Sequence, residues 1–360
     1  MPDSGLASTG AAPVPYLIRS CSGEDEPALL ELVRGAFGEP PGGQKTTAFW
    51  RWKHVENPFG PSYALCAIDA PTGTIAALRV LMRWTLRAPD GAIRRPVRAV
   101  DTATHPDHQR RGLFSELTRF AIQDLANQGV PFVFNTPNRN SLPGYLKMGW
   151  QVVARWPVYV RPVRWRNTIR HLVGKSASVP YDIDLTAAGA GLLHWKVFHK
   201  RYGPAVKEVV EAHEQGRRQV GYRTERTLDY LDWRYGAHPH LEYHVHALAS
   251  EGGLEGFLIL RPALGASGLQ ALLITELFVR RPSVLSVARL LRSLVCQRSC
   301  DYLSGYAAAG TFERKAFFQT GFLPAPGRGS TFAARPLNAV SPDPTRRRSW
   351  DLTLGELEIF

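Results

Sequence analysis

One junction constrains this chain more than any other. An apolar, β-branched run from Val97 to Thr104 gives way to a run in which Leu113, Leu117, Phe120, Ala121 and Leu125 recur at helical spacing. Between them lies His105-Pro106-Asp107-His108-Gln109-Arg110-Arg111-Gly112, so a strand must pass through a basic glycine turn into a helix N-terminus. The first N–H groups of a helix have no partner within it. With Arg110 and Arg111 beside them, they match a pyrophosphate in both charge and hydrogen-bond geometry. Gly112 allows close backbone approach and an unusual φ. Taken alone, such a turn is common.

A second stretch adds to the first. After another apolar strand, Pro131 to Asn135, comes Thr136-Pro137-Asn138-Arg139-Asn140-Ser141-Leu142-Pro143-Gly144, then Tyr145-Leu146-Lys147-Met148-Gly149-Trp150 and the strand-like Gln151 to Ala154. Together the two stretches resemble the GNAT acyltransferase superfamily. Its signature is a strand ending in x-Pro, a Gln/Arg-x-x-Gly-x-Gly/Ala turn opening a helix, a second strand, and a Tyr-x-x-x-Gly-Phe segment. Here these read Gln109-Arg110-Arg111-Gly112-Leu113-Phe114 and Tyr145 to Trp150, in the family's order. The sequence departs at Phe114, where the family has a small residue, and at Trp150, where it has Phe.

The resemblance implies an α/β (α+β) fold with a mixed, mostly antiparallel and splayed sheet flanked by helices. It also implies a reaction in which an amine attacks the carbonyl of an acyl thioester. The donor would be acyl-CoA, with acetyl or a longer chain, or a phosphopantetheine thioester on a carrier protein. Gln109, Arg110, Arg111, Gly112, Leu113 and Phe114 would cradle its phosphates, and backbone groups of Thr102, Ala103 and Thr104 would meet the pantetheine arm. Asn135, Asn138, Asn140 and Ser141 lie where the family's second strand meets the donor. One or two of them should touch it, and the others should form the turn, since Asn, Ser and Pro crowd that segment. Tyr145 falls on the family's usual tyrosine, whose hydroxyl protonates or holds the departing sulfur; the alternative is an aromatic packed under the donor. Asp101 is the candidate base, ranked above His105 and His108; a salt bridge is the other reading of a carboxylate in an apolar strand.

The chain repeats itself. Phe49 to His54, Asn57-Pro58-Phe59-Gly60 and the strand Tyr63 to Ile68 are echoed by Tyr230 to Tyr235, His238-Pro239 and the strand Tyr243 to Leu248, with Trp52 matching Trp233 and Pro58 matching Pro239. In the second half Val279-Arg280-Arg281-Pro282 has no glycine turn before its helix, and Phe317 stands in the place of Tyr145. The expected organisation is therefore a flexible N-terminus at 1–15, a donor-binding domain at 16–160, a connector at 161–180, a degenerate second copy at 181–338 and a tail at 339–360. Ser349 to Leu354 is expected to dock back as a strand or turn. The second copy either shapes the acceptor cleft or serves packing alone.

At 360 residues and 44% hydrophobic content, the chain can bury two cores. No apolar run reaches the ~20 residues of a membrane span, and Met1 to Pro15 lacks a signal-peptide pattern, so a cytoplasmic protein is expected. The net charge of +13 fits a phosphate-bearing donor or an acidic acyl carrier protein. No nucleic-acid module accompanies it. The four cysteines form no CxxC pair, with Cys296 and Cys300 expected on one helical face. The His238, His240, His244 and His246 cluster lacks an accompanying acid or cysteine pattern, so no metal is expected. A non-catalytic binding protein is the third reading. The amine acceptor leaves no signature.

Overall fold

The central strand of the first half is buried along almost its whole length, as a sheet with helices on both faces requires. A computed structural model of the protein describes residues 16–37, 45–166, 192–217, 220–264, 268–297, 300–325 and 329–357. The expected N-terminal segment 1–15, most of the expected connector and the last residues of the expected tail, 358–360, lie outside the described residues. The first half contains β1 (Tyr16–Ser20), α1 (Glu26–Phe37), α2 (Thr47–His54), β2 (Tyr63–Asp69), β3 (Ile75–Arg83), the short pair β4 (Leu86–Arg87) and β5 (Ile93–Arg94), β6 (Val97–Thr104), α3 (Leu113–Asn127), β7 (Phe132–Asn135), α4 (Leu142–Lys147), β8 (Gln151–Arg155) and β9 (Tyr159–Pro162). Ala77 and Leu81 of β3, with Val97 and Ala99 of β6, bury against Leu113, Leu117, Ala121 and Leu125 of α3. Leu78 and Val80 point the other way, onto Leu29, Leu30 and Val33 of α1. Ahead of α1 the Ser22 N–H donates to the Asp25 carboxylate at 2.7 Å, as in a capping box, and Arg19 pairs with the same group.

The second half contains β10 (Leu192–His194), α5 (Trp195–Gly216), β11 (Arg223–Thr224), α6 (Leu228–Leu231), β12 (His244–Ser250), β13 (Gly253–Leu264), β14 (Gln270–Val279), α7 (Val284–Cys296), β15 (Tyr302–Gly305), α8 (Phe312–Gln319), β16 (Leu323–Pro324), β17 (Thr331–Pro336) and α9 (Leu354–Leu357). The sheets run β1-β2-β3-β6-β7-β17-β8 and β10-β12-β13-β14-β15-β9-β16, each of seven strands. Their connectivity is the same, and each half lends the other one strand at the same position. β17 lies between β7 and β8, and β9 lies between β15 and β16.

The sequence boundaries at 160 and 338 therefore do not coincide with sheet boundaries. Local pattern marks β9 and β17 as strands but carries no information about which sheet they join. Nor are there two separate cores. One apolar cluster runs from Trp84, Phe132 and Phe134 of the first half through Trp233, Phe257 and Leu290 of the second. At its centre Trp52 and Trp233 stack at 4.8 Å, and each indole N–H donates to the other's backbone carbonyl at 2.7 Å. These are the two tryptophans that the sequence echo pairs.

The C-terminal stretch docks, as its Ser349 to Leu354 segment suggested. Trp350, Asp351 and Leu352 are buried, and Trp350 packs on Phe134 and Phe332. Cys296 and Cys300 do not share a helix face, because α7 ends at Cys296 and Cys300 lies beyond it, buried. No described helix is long and apolar enough to cross a membrane.

Candidate active site

β6 and β7 run parallel but pair only at Val97–Val133 and Arg98–Phe134. Beyond that they diverge, so from Ala99 to Thr104 one edge of β6 carries backbone groups with no strand beside them. The gap opens into a cavity of about 790 Å³. Of the residues expected to bind or act, Asp101, Thr102, Ala103, Thr104, Gln109, Phe114, Asn135, Asn138, Asn140, Ser141 and Tyr145 line it. Arg110, Arg111 and Gly112 do not line it; they lie exposed on the turn at the start of α3, while Leu113 is buried in the core under α3.

That turn has the conformation its glycine allows. Gly112 is the N-cap of α3 at φ 83°, and Arg110 also has a positive φ of 62°. With no side chain on Gly112 to cap the helix, the leading amides are left for a ligand. Arg111 and His108 are held sideways by the Tyr16 hydroxyl, at 3.1 and 2.9 Å, and His105 caps the preceding turn by accepting the Asp107 N–H at 3.3 Å. Neither histidine lines the cavity.

The bulk of Phe114 is accommodated by Gly144. A Cβ at position 144 would lie 2.8 Å from the Phe114 ring. The ring stands edge-on to Tyr145 at 5.5 Å and forms part of the cavity wall. Tyr145 is 3% exposed, and its hydroxyl accepts a hydrogen bond from Arg79 Nη1 at 2.9 Å. The sequence reading missed Arg79, although an arginine inside Ile75-Ala76-Ala77-Leu78-Arg79-Val80-Leu81 is a charge at a core position and could have flagged it.

Asp101 stands at the cavity wall, but as an ion-pair partner. Its carboxylate meets Lys53 Nζ at 2.9 Å and His54 Nε2 at 2.8 Å. Burial alone would raise its pKa, yet the Lys53 charge and the bonds from His54 and Lys53 hold it well below the ordinary carboxylate range. Such a group has little affinity for an ammonium proton, and its contacts are those of the salt bridge that is the other reading of this carboxylate. Burial depresses His54 in turn, despite Asp101. The neutral ring then donates from Nε2 to Asp101 and accepts at Nδ1 from the Ser62 hydroxyl, 3.0 Å away. Lys53 and His54 lie next to Trp52 on α2, with no pattern to mark them beforehand.

At the inner end Arg98 also borders the cavity. Its guanidinium lies 5.7 Å from the Trp84 ring and 5.9 Å from Phe134, and burial pulls its pKa down to about 10, so it remains a cation. Asn135 is 3% exposed, with no hydrogen-bond partner for Oδ1. A buried acceptor in that state asks for an N–H from a ligand. Asn138 is the turn former, its Oδ1 accepting the N–H groups of Asn140 and Ser141 at 3.0 and 2.8 Å.

The corresponding gap in the second sheet is filled. β14 and β15 pair from Ala271–Tyr302 to Ile274–Gly305 and then separate. Arg217 and Arg226, with Leu352 and Thr353 of the C-terminal stretch, occupy the opening and leave about 30 Å³, room for one water. The N-terminus of α7 is closed by its own cap, the Ser283 hydroxyl accepting the Ser286 N–H at 3.1 Å. The four clustered histidines do not converge on one point. His238 accepts the N–H groups of His240 and Leu241, His240 meets Thr46, His244 faces His194, and His246 meets Ser293. Among the described residues no three His, Cys, Asp or Glu side chains converge as a metal site would require.

Comparison with known proteins places this geometry. Residues 17–153 match the model of the acetyltransferase (GNAT) domain. Among solved structures, a conserved protein of unknown function from Enterococcus faecalis V583, described as a probable N-acyltransferase, superposes with a TM-score of 0.62 at 15% identity, over 90% of this chain and 73% of that one. A GCN5-related N-acetyltransferase from Anabaena variabilis ATCC 29413 gives 0.59 at 14% identity, with the same coverage. At these identities the likeness is one of fold. No functionally curated protein is significantly similar in sequence.

Proposed function

We propose, for a chain whose residues 17–153 belong to the GNAT acetyltransferases, that the protein transfers an acyl group from acyl-CoA to a primary amine. The observation that carries this reading is the cavity between the diverging β6 and β7, with an uncapped helix N-terminus at Gly112 near its mouth and Tyr145 in its wall. The unpaired β6 edge and the orphan Asn135 Oδ1 suit an amide-rich arm, and the amides before α3 suit phosphates. The acyl thioester supplies an activated carbonyl and a sulfur leaving group.

The protein's part is mainly positional. The amine nitrogen forms the new C–N bond, the C–S bond breaks, and the Tyr145 hydroxyl gives its proton to the departing sulfur. With Asp101 held by Lys53 and His54, the amine enters as its free base and its surplus proton leaves through solvent in the open cavity. The second half is read as a degenerate copy of the first. The same strand order, the reciprocal loan of β9 and β17 and the mutual Trp52–Trp233 bonds support descent by duplication, and its filled gap supports loss of donor binding.

The test is calorimetric titration with acetyl-CoA and a longer acyl-CoA, followed by a thiol-release assay across amines. Binding with a stoichiometry of one and amine-dependent thiol release are expected. A folded protein that binds neither thioester overturns the reading.

A further inference from the structure

Arg79 is fully buried, 0% exposed, in the apolar layer between β3 and α3. Such a cation is costly to bury unless an anion or a set of acceptors compensates it. Among the described residues no carboxylate lies within ion-pair distance, and Nε and Nη2 have no hydrogen-bond partner. Its one directed bond is from Nη1 to the Tyr145 oxygen at 2.9 Å, and its guanidinium sits 5.3 Å from the Tyr145 ring and 5.8 Å from the Phe114 ring. Both rings form the cavity wall.

Because the phenolic oxygen accepts from Arg79, its own proton is free to be donated elsewhere. Tyr145 lines the cavity, and its hydroxyl makes no other hydrogen bond among the described residues. We infer that Arg79 is a positioning residue for sulfur departure: it orients Tyr145 as a donor to the sulfur and supplies the buried positive charge that balances the negative charge leaving with it. This rests on the donor-site reading above. The steps balance. As the C–S bond breaks, its electron pair goes to sulfur, sulfur takes the Tyr145 proton, and the phenolate oxygen left for an instant is held by the Arg79 N–H. Tyr145 then regains a proton from solvent, which has received the one lost by the amine nitrogen.

Coenzyme A and its desulfo analogue, in which hydrogen replaces the thiol, test this without an amine. Calorimetry at pH 8.5, where part of the bound thiol can ionise, should show wild type preferring coenzyme A by about tenfold, the scale of one hydrogen bond to a charged group. Arg79→Met and Tyr145→Phe should each reduce that preference to about one, the double variant should lose no more than either single variant, and Arg79→Lys should restore part of it. Affinity for desulfo-coenzyme A should stay within about threefold throughout, which a merely unfolded or repacked variant would not allow. If wild type shows the preference and Arg79→Met keeps it, or if the two losses simply add, the Arg79 role is wrong while the donor site stands. If wild type binds neither compound, both readings fail together.

Discussion

Replacing Gly112 by Asp and by Asn separates charge from shape at the turn before α3. Gly112 has φ 83°, and a Cβ added there meets nothing within 4 Å, so neither variant clashes. Both side chains are among those that tolerate a left-handed backbone, and the conformational cost, about 1 kcal/mol, is shared. What differs is one negative charge. If a donor phosphate sits about 5 Å away, an effective dielectric of about 20 gives roughly 3 kcal/mol of repulsion, which salt lowers to about 2 kcal/mol at an exposed turn. Gly112→Asp should therefore bind acetyl-CoA about 30- to 150-fold more weakly than Gly112→Asn, and the gap should narrow as salt rises. Titration calorimetry at two ionic strengths reads both quantities. Equal affinities for the two variants would mean that no phosphate rests on this turn, whatever the family resemblance.

Three further outcomes follow from the geometry. Asp101→Asn leaves Lys53 buried beside a neutral side chain, so it should lower unfolding stability by about 2 kcal/mol; the alkaline limb of the pH–rate profile should stay where it is, and a displaced limb would return Asp101 to the role of base. Glu313 is buried, which alone would raise its pKa, but Arg217 and His213 bring it from 4.5 down to about 2. Its contribution to stability is present above pH 4.5 and lost as pH falls toward 2, so the stability difference between wild type and Glu313→Gln should shrink across that window in urea titrations; a constant difference refutes the pairing. Trp52→Phe leaves the buried Trp233 carbonyl without its donor, costing about 1–3 kcal/mol, and because the core is continuous, fluorescence and circular dichroism should report one shared unfolding transition instead of two.

The turn, the strand before it and the second motif were legible because each is local. A periodicity change, a glycine and a pair of arginines fall within ten residues, and Gly112 has the positive φ that its position suggested. The legible part of the site is thus what two strand ends and two helix starts place around one gap. The role of Asp101 was not legible, because its ion pair comes from α2, some fifty residues earlier in the chain. Arg79 was readable in principle, as a charge within a buried run, but its partner Tyr145 lies sixty-six positions away. The fit of Phe114 also depended on a distant glycine: its departure from the family pattern looks adverse until Gly144 is brought against it.

The exchanged strands give the second half a part in the site even though none of its described residues lines the cavity. The wall opposite β6 is β7, a strand of only four residues that shares just two register pairs with β6. Its other edge is held by β17, with Ala333 opposite Asn135 and Ala334 opposite Phe134. β7 is thus secured on the side away from the gap by a strand from the far half of the chain. Phe332 of β17 packs on Trp350 at 4.7 Å, so the docked C-terminal stretch rests against the same strand. Through β17 and the docked C-terminal stretch, the second half of the chain thus bears on the wall of a gap formed by the first.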